Sequence, residues 1–220
     1  MLLLGLFFIY VYLASGDEAW KTKRVADWTE QETKEVLNNS PWAMMTTVAV
    51  KKEEKKSHGS GPVVGIPGIG RRRSEPAQPA PEIPAATDSA TSLNIRWESA
   101  LPIREAELKA RETNAPVVDE DHYAIAVYGL PSKLAKDAKG EGDRLKGQAS
   151  LKREGQKDLK PTHVDVIQRE DGVVAVFLFA RDKEITARDT RVEFEALVGQ
   201  YQISQAFQIG QMMYQGKLEL

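Results

Sequence analysis

The stretch from Ser57 to Ser92 limits what this chain can fold into more than any other part of it. It holds six of the eleven prolines and five of the sixteen glycines in 36 residues, with no aromatic side chain among them. No helical or strand period runs through it, so it buries too little to offset the entropy of ordering it. Its Pro-Ala half, 75–86, reads as extended and semi-stiff. The expectation is a disordered loop over 57–92, with a short piece before it (17–56) and a longer one after it (93–220).

The short piece reads as one helix and one strand. Thr29 and Glu32 have the spacing of a capping box, opening a helix that carries Val36 and Leu37 and stops at Asn38, Asn39 and Pro41. Residues 42–50, WAMMTTVAV, are rich in strand formers. A lone helix and strand cannot bury each other well enough to be stable. Residues 17–56 are therefore expected to dock on 93–220, which makes 57–92 an internal loop and not a boundary between domains.

Ahead of both pieces, Leu2 to Leu13 is an almost unbroken apolar run. As a helix it rises about 18 Å, well short of a hydrocarbon core of roughly 30 Å. That length suits the apolar region of a signal peptide, and Ala14-Ser15-Gly16 supplies small residues for cleavage before Asp17. Residues 1–16 are thus expected to direct export, to a periplasm or the exterior, with an uncleaved N-terminal anchor as the lesser alternative. After cleavage no stable membrane span is expected. The chain has no cysteine, which removes disulfides, thiolate metal sites and a cysteine-linked lipid anchor. A formal charge of −2 argues against a nucleic-acid partner.

Residues 93–220 are β-rich. Leu93 to Trp97 reads as a strand, and Pro102 opens a helix reaching about Glu112. Residues 122–130, HYAIAVYGL, are apolar on both faces, as a buried strand is. Residues 131–160 carry nine basic and five acidic side chains and read as a helix fragment, a short strand and loops. Asp171-Gly172 between two β runs marks a hairpin. Alternation then continues through Val192–Val198 and Tyr201–Ile209, and from Met212 to Leu220. The fold class expected is α+β: an antiparallel meander or sandwich-like sheet, with two short helices toward the N-terminal side.

Candidate sites are few. Trp28, Trp42 and Trp97 flank the Pro/Gly-rich stretch, and no tryptophan follows them. They suit packing anchors between the two pieces; the functional alternative is a stacking platform for a sugar or peptide. His122 follows Asp119-Glu120-Asp121, and His163 shares a strand face with Asp165. If the two histidine strands were neighbours, His122, His163 and Asp165 would be weak candidates for a metal or hydrolytic site. Residues 65–70 followed by Arg71–Arg73 lack the lysine of a phosphate loop, and no G-x-S-x-G, H-E-x-x-H or dinucleotide fingerprint occurs. No cofactor is expected.

Four segments carry a resemblance: Trp28-Thr29, Ser40-Pro41-Trp42-Ala43, Arg96-Trp97-x-Ser99-Ala100-x-Pro102 and the closing Tyr214-Gln215-Gly216-Lys217-Leu218-Glu219-Leu220. With them the chain resembles a family of uncharacterised exported bacterial proteins, over most of its length outside 1–16 and 57–92. The resemblance implies bacterial origin and export, and no activity or ligand. The functional expectation is a non-catalytic module of the cell envelope that contacts an envelope protein or surface polymer. A metal-dependent hydrolase on His122 and His163, and a carbohydrate-binding domain on its tryptophans, are the alternatives.

Overall fold

The computed structural model describes residues 18–48, 91–112, 115–170, 172–182 and 184–220. The expected export segment and the expected loop up to residue 90 lie outside the described residues. Among the described residues, four α-helices and eleven strands make an α+β fold whose strand pairs are all antiparallel. Helices α1 (Ala19–Thr22) and α2 (Glu30–Asn38) come first, followed by β1 (Asn39–Ser40), β2 (Ala43–Val48) and β3 (Thr91–Trp97). Helix α3 (Leu101–Ala110), β4 (His122–Leu130), α4 (Ala138–Gly147) and β5 (Ala149–Arg153) come next. The remaining strands are β6 (His163–Arg169), β7 (Gly172–Ala180), β8 (Arg191–Val198), β9 (Tyr201–Gln208), β10 (Met213–Tyr214) and β11 (Lys217–Leu218).

The capping box is formed: Thr29 Oγ1 accepts from the Glu32 amide at 3.2 Å, and the Thr29 amide donates to Glu32 Oε2 at 2.7 Å. Helix α2 then turns sharply into the β1–β2 hairpin. There Ser40 Oγ donates to the Val36 carbonyl at 2.7 Å and accepts from the Trp42 amide at 3.3 Å. Strand β2 pairs along its whole length with β3, from Ala43 opposite Arg96 to Val48 opposite Thr91. Thr91 and Ser92, which composition assigns to the loop, are therefore the first residues of a strand.

The strands divide between two sheets. One is six-stranded, in the order β1-β2-β3-β4-β7-β6; the other is β5-β8-β9, and β10 pairs with β11 alone. The short strand expected within 131–160 is β5, and it joins the second sheet and not the first. The sheets face each other across aromatic contacts: Trp97 meets Phe207 at 5.0 Å between ring centres, and Phe177 meets Phe194 at 5.1 Å. Both contacts are edge-to-face, the geometry that ring quadrupoles favour.

Strand β4 is buried on both sides, for two different reasons. Tyr123, Ile125 and Val127 enter the core between the sheets. Ala124, Ala126 and Tyr128 form a second apolar cluster with Val174 and Val176 on the far face. The alternation from Met212 to Leu220, which reads as one strand, closes instead into a hairpin. Gln215 and Gly216 both take positive φ, 49° and 78°, at its turn. Among the described residues no helix is long and apolar enough to cross a membrane.

Candidate functional site

The segment Arg96–Pro102 distributes its side chains over three environments. Strand alternation sends Trp97 into the core between the sheets, while Arg96 and Glu98 turn to the far face with Tyr128. Ser99 lies in the turn after β3, and its Oγ accepts from the Ala124 amide at 3.1 Å. Pro102 then lies in the first turn of α3, where its missing N–H costs nothing.

On the far face lies a closed cluster of charge. Arg96 Nε donates to the Leu37 carbonyl at 3.0 Å, and Nη1 donates to Glu107 Oε1 at 3.2 Å and Glu112 Oε2 at 3.0 Å. The guanidinium stands 4.3 Å from the centre of the Tyr128 ring, with that of Arg169 at 5.3 Å. The Tyr128 hydroxyl is 3.1 Å from Glu98 Oε1 and 3.2 Å from Glu107 Oε1. Its single proton cannot serve both fully. Glu98 is 0% exposed, and its Oε2 has no hydrogen-bond partner among the described residues.

Burial, and then the adjacent Glu107 carboxylate, push the Glu98 carboxyl well above its usual range. Burial likewise raises the Tyr128 phenol, with the charges of Glu98 and Glu107 adding to it. Burial opposes the charge on Arg96, but its bonds to Glu112 outweigh that and raise its pKa. The cluster thus favours a neutral acid at Glu98 beside a Glu107 carboxylate held by Arg96. No solvent reaches Glu98, so the cluster locks α2, β3, α3 and β4 together and offers no substrate access.

The sign of its pH dependence follows. An acid whose pKa is higher folded than unfolded binds more protons in the native state, so stability falls as pH rises above the unfolded value. From about 4.5 upward, wild type should lose stability relative to Glu98→Gln until the folded pKa is passed. Urea melts of both proteins across pH measure the difference. A Glu98→Gln minus wild-type difference that is flat with pH would show that Glu98 titrates normally.

An open groove lies on the other side of Ser99. A groove of about 690 Å³ runs between the start of α3, residues 119–123, the β7–β8 connection and the last three residues. Its floor is Tyr123, whose hydroxyl accepts from the Ile185 amide at 2.8 Å. Over that ring, 4.4 Å from its centre, sits the guanidinium of Arg181. Arg181 Nε donates to the His122 carbonyl at 3.2 Å, and Nη2 donates to the Leu220 main-chain oxygen. Arg104, Thr186 and Ala187 line the walls. Acidic groups at Asp119, Glu120, Glu184 and Glu219 give the rim a mixed charge.

Four chain segments, 99–104, 119–123, 181–187 and 218–220, meet at this groove. Ser99 and Arg104 arrive from Arg96–Pro102 and the helix it opens, and Leu218–Leu220 arrive from the end of the C-terminal hairpin. Ser40–Ala43 holds that end in place, because Trp42 Nε1 donates to the Glu219 carbonyl at 2.8 Å. Tyr214 Oη adds a bond to Glu105 Oε2 on α3 at 2.9 Å.

The histidines do not converge. Strand β7 lies between β4 and β6, so the two strands that carry them are not neighbours. His122 Nδ1 is 2.7 Å from Asp119 Oδ1, and His163 Nε2 is 2.9 Å from the exposed Asp165 Oδ1. Each ring has its own local carboxylate; the His122 ring holds Asp119 below its usual range. Among the described residues, no group of three or more His, Cys, Asp or Glu side chains could hold a metal ion.

The tryptophans are packing residues. Trp28 is 3% exposed, and Trp42 and Trp97 are 0% exposed, so no sugar platform forms on them. Trp42 meets Trp20 edge-on at 6.2 Å, and Trp28 meets Tyr214 at the same distance. The Glu98–Glu107–Tyr128 cluster is not apparent from composition. Its trace in the sequence is the alternation of Asn94, Arg96 and Glu98 on a strand that also bears Leu93, Ile95 and Trp97. Compared with protein-family models, with curated proteins and with solved structures, the chain matches none.

Proposed function

We propose that the chain is an exported, non-catalytic binding module of a bacterial cell envelope that receives an envelope protein or surface polymer in the groove over Tyr123. The observation that carries this reading is the convergence of four chain segments, 99–104, 119–123, 181–187 and 218–220, on one open recess. A floor of Tyr123 and Arg181, each fixed by further hydrogen bonds, provides a pre-formed surface and lowers the ordering cost of binding. The mixed charge of the walls suits a polar partner and not an acyl chain. The hydrolase alternative loses its support with the separation of His122 from His163, and the sugar-platform alternative with the burial of the indoles.

The test is a photo-crosslinking amino acid at Ala187, exposed in the groove wall, against the same group at Gln168 on exposed β6. In envelope preparations the Ala187 position should capture a discrete component, the Gln168 position should not, and Arg104→Glu should weaken the capture. Equal labelling at both positions, or none at Ala187, overturns the groove as the binding surface. Fractionation of cells expressing the full chain tests export separately. A mature product beginning at Asp17 outside the cytoplasm is the expected result.

A further inference from the structure

Residues 98–107 leave the far-face cluster, supply part of the groove wall and return to the cluster. Glu98 starts this segment, and Glu107 ends it about two turns into α3. Between them, Ser99 and Arg104 line the groove. Glu105 on the same helix accepts from Tyr214 Oη, so the C-terminal hairpin is tied to α3 as well.

The two ends of the segment meet at one group. The Tyr128 hydroxyl stands 3.1 Å from Glu98 Oε1 and 3.2 Å from Glu107 Oε1. Among the described residues it is the only donor within hydrogen-bond distance of Glu98. The charges around this pair come from every element packed on it. Strand β3 brings Arg96, β4 the Tyr128 phenol, β6 Arg169, and the end of α3 Glu112. Helix α2 gives the Leu37 carbonyl to Arg96, and no ion pair. Arg169 and Glu112 lie at the rim, 3.7 Å apart, and offset each other. Inside, Arg96 faces two carboxyl groups and bonds Glu107 but not Glu98. With Glu98 fully buried, this space is neutral only while Glu98 and Glu107 keep one proton between them.

We infer that this proton gates the groove: it clamps both ends of 98–107, and its loss parts α3 from β3 and moves the wall that carries Arg104. Two carboxylates around one phenol repel strongly in a dry interior, and Arg96 cannot compensate both. Strand β3 is the fixed side. It is paired with β2 and β4, and the Glu98 amide donates to the Ala124 carbonyl at 2.8 Å. Helix α3 is the side that yields, since no side-chain hydrogen bond caps its start. On the reading that the groove is the binding surface, capture of a partner weakens as pH rises.

The absence of cysteine allows a nitroxide pair at Leu108→Cys, 79% exposed on α3, and Ala187→Cys on the β7–β8 connection. Their separation is read by pulsed electron spin resonance from about pH 5 to about pH 10, which spans carboxyl groups raised by full burial. One distance is expected at the low end. As pH rises, a second that differs by about 1–2 Å should replace it, with circular dichroism unchanged. Glu98→Gln should hold the first distance throughout. If Glu98→Gln does not fold, Glu107→Gln carries the same expectation, since one carboxylate then faces Arg96. The measurement needs no partner, so it can fail while the groove still captures one, and succeed where nothing is captured. A wild-type distance that never changes, an equal change in Glu98→Gln or Glu107→Gln, or unfolding of the whole chain over the same range overturns the proposal.

Discussion

Arg96→Met is expected to cost about 3–5 kcal/mol of folding stability, because it removes one partner from a buried cluster and leaves the others charged. Arg96 is 6% exposed and Glu107 is 3% exposed, so neither can turn to water. Without the guanidinium, the Leu37 carbonyl loses one of its two donors and Glu107 loses its cationic partner. Glu112 suffers less, since it is less buried and Arg169 Nη2 remains 3.7 Å away. For a chain of this size the loss corresponds to a fall in Tm of about 10 °C. Adding Glu107→Gln to Arg96→Met should recover a substantial part of it, because the uncompensated charge is then gone. Urea unfolding followed by tryptophan fluorescence measures both. A loss under about 1 kcal/mol for the single variant would mean that the cluster relaxes to solvent, and would remove it as the tie between α2 and β3.

How much of this could be read in the sequence depends on the range of the interaction. The α2 cap, the β6–β7 hairpin and the alternation of β8 and β9 arise between residues near in sequence, so patterns of spacing expose them. The pairing of β2 with β3 also has a legible cause, since a helix and strand alone have nothing to bury against. The split into two sheets has no such local mark. Strands β5 and β6 both follow α4, and they part only because Leu151 and Phe194 pack on one side while Val164 pairs with Phe177 on the other. The far-face cluster is hidden for the same reason. Glu98, Glu107 and Tyr128 read as a strand end, a helix face and an apolar strand, and only the tertiary fold brings them within hydrogen-bond distance. His122 and His163 could share a site only on neighbouring strands, and no local pattern tells that β7 lies between them.

Trp97→Ala should cost about 3–5 kcal/mol, as it empties the centre of the contact between the sheets. The indole is 0% exposed and meets Tyr123 at 5.9 Å and Phe207 at 5.0 Å, so its loss removes contacts on both β4 and β9. Phenylalanine at Trp97 and at Trp42 gives a sharper comparison, because both indoles are fully buried and lose the same volume. Trp42 Nε1 donates to the Glu219 carbonyl, and Trp42→Phe breaks that bond and loosens the C-terminal hairpin that closes the groove. Trp97 Nε1 is buried with no hydrogen-bond partner among the described residues, a state that costs about 1–3 kcal/mol. Trp97→Phe removes that orphan donor, and the relief offsets part of the cavity left behind. Trp97→Phe should therefore be the milder of the two, by about 1–2 kcal/mol. Equilibrium unfolding in urea ranks them. If Trp97→Phe proves the more damaging, the indole nitrogen of Trp97 is not an unsatisfied donor, and packing alone decides both positions.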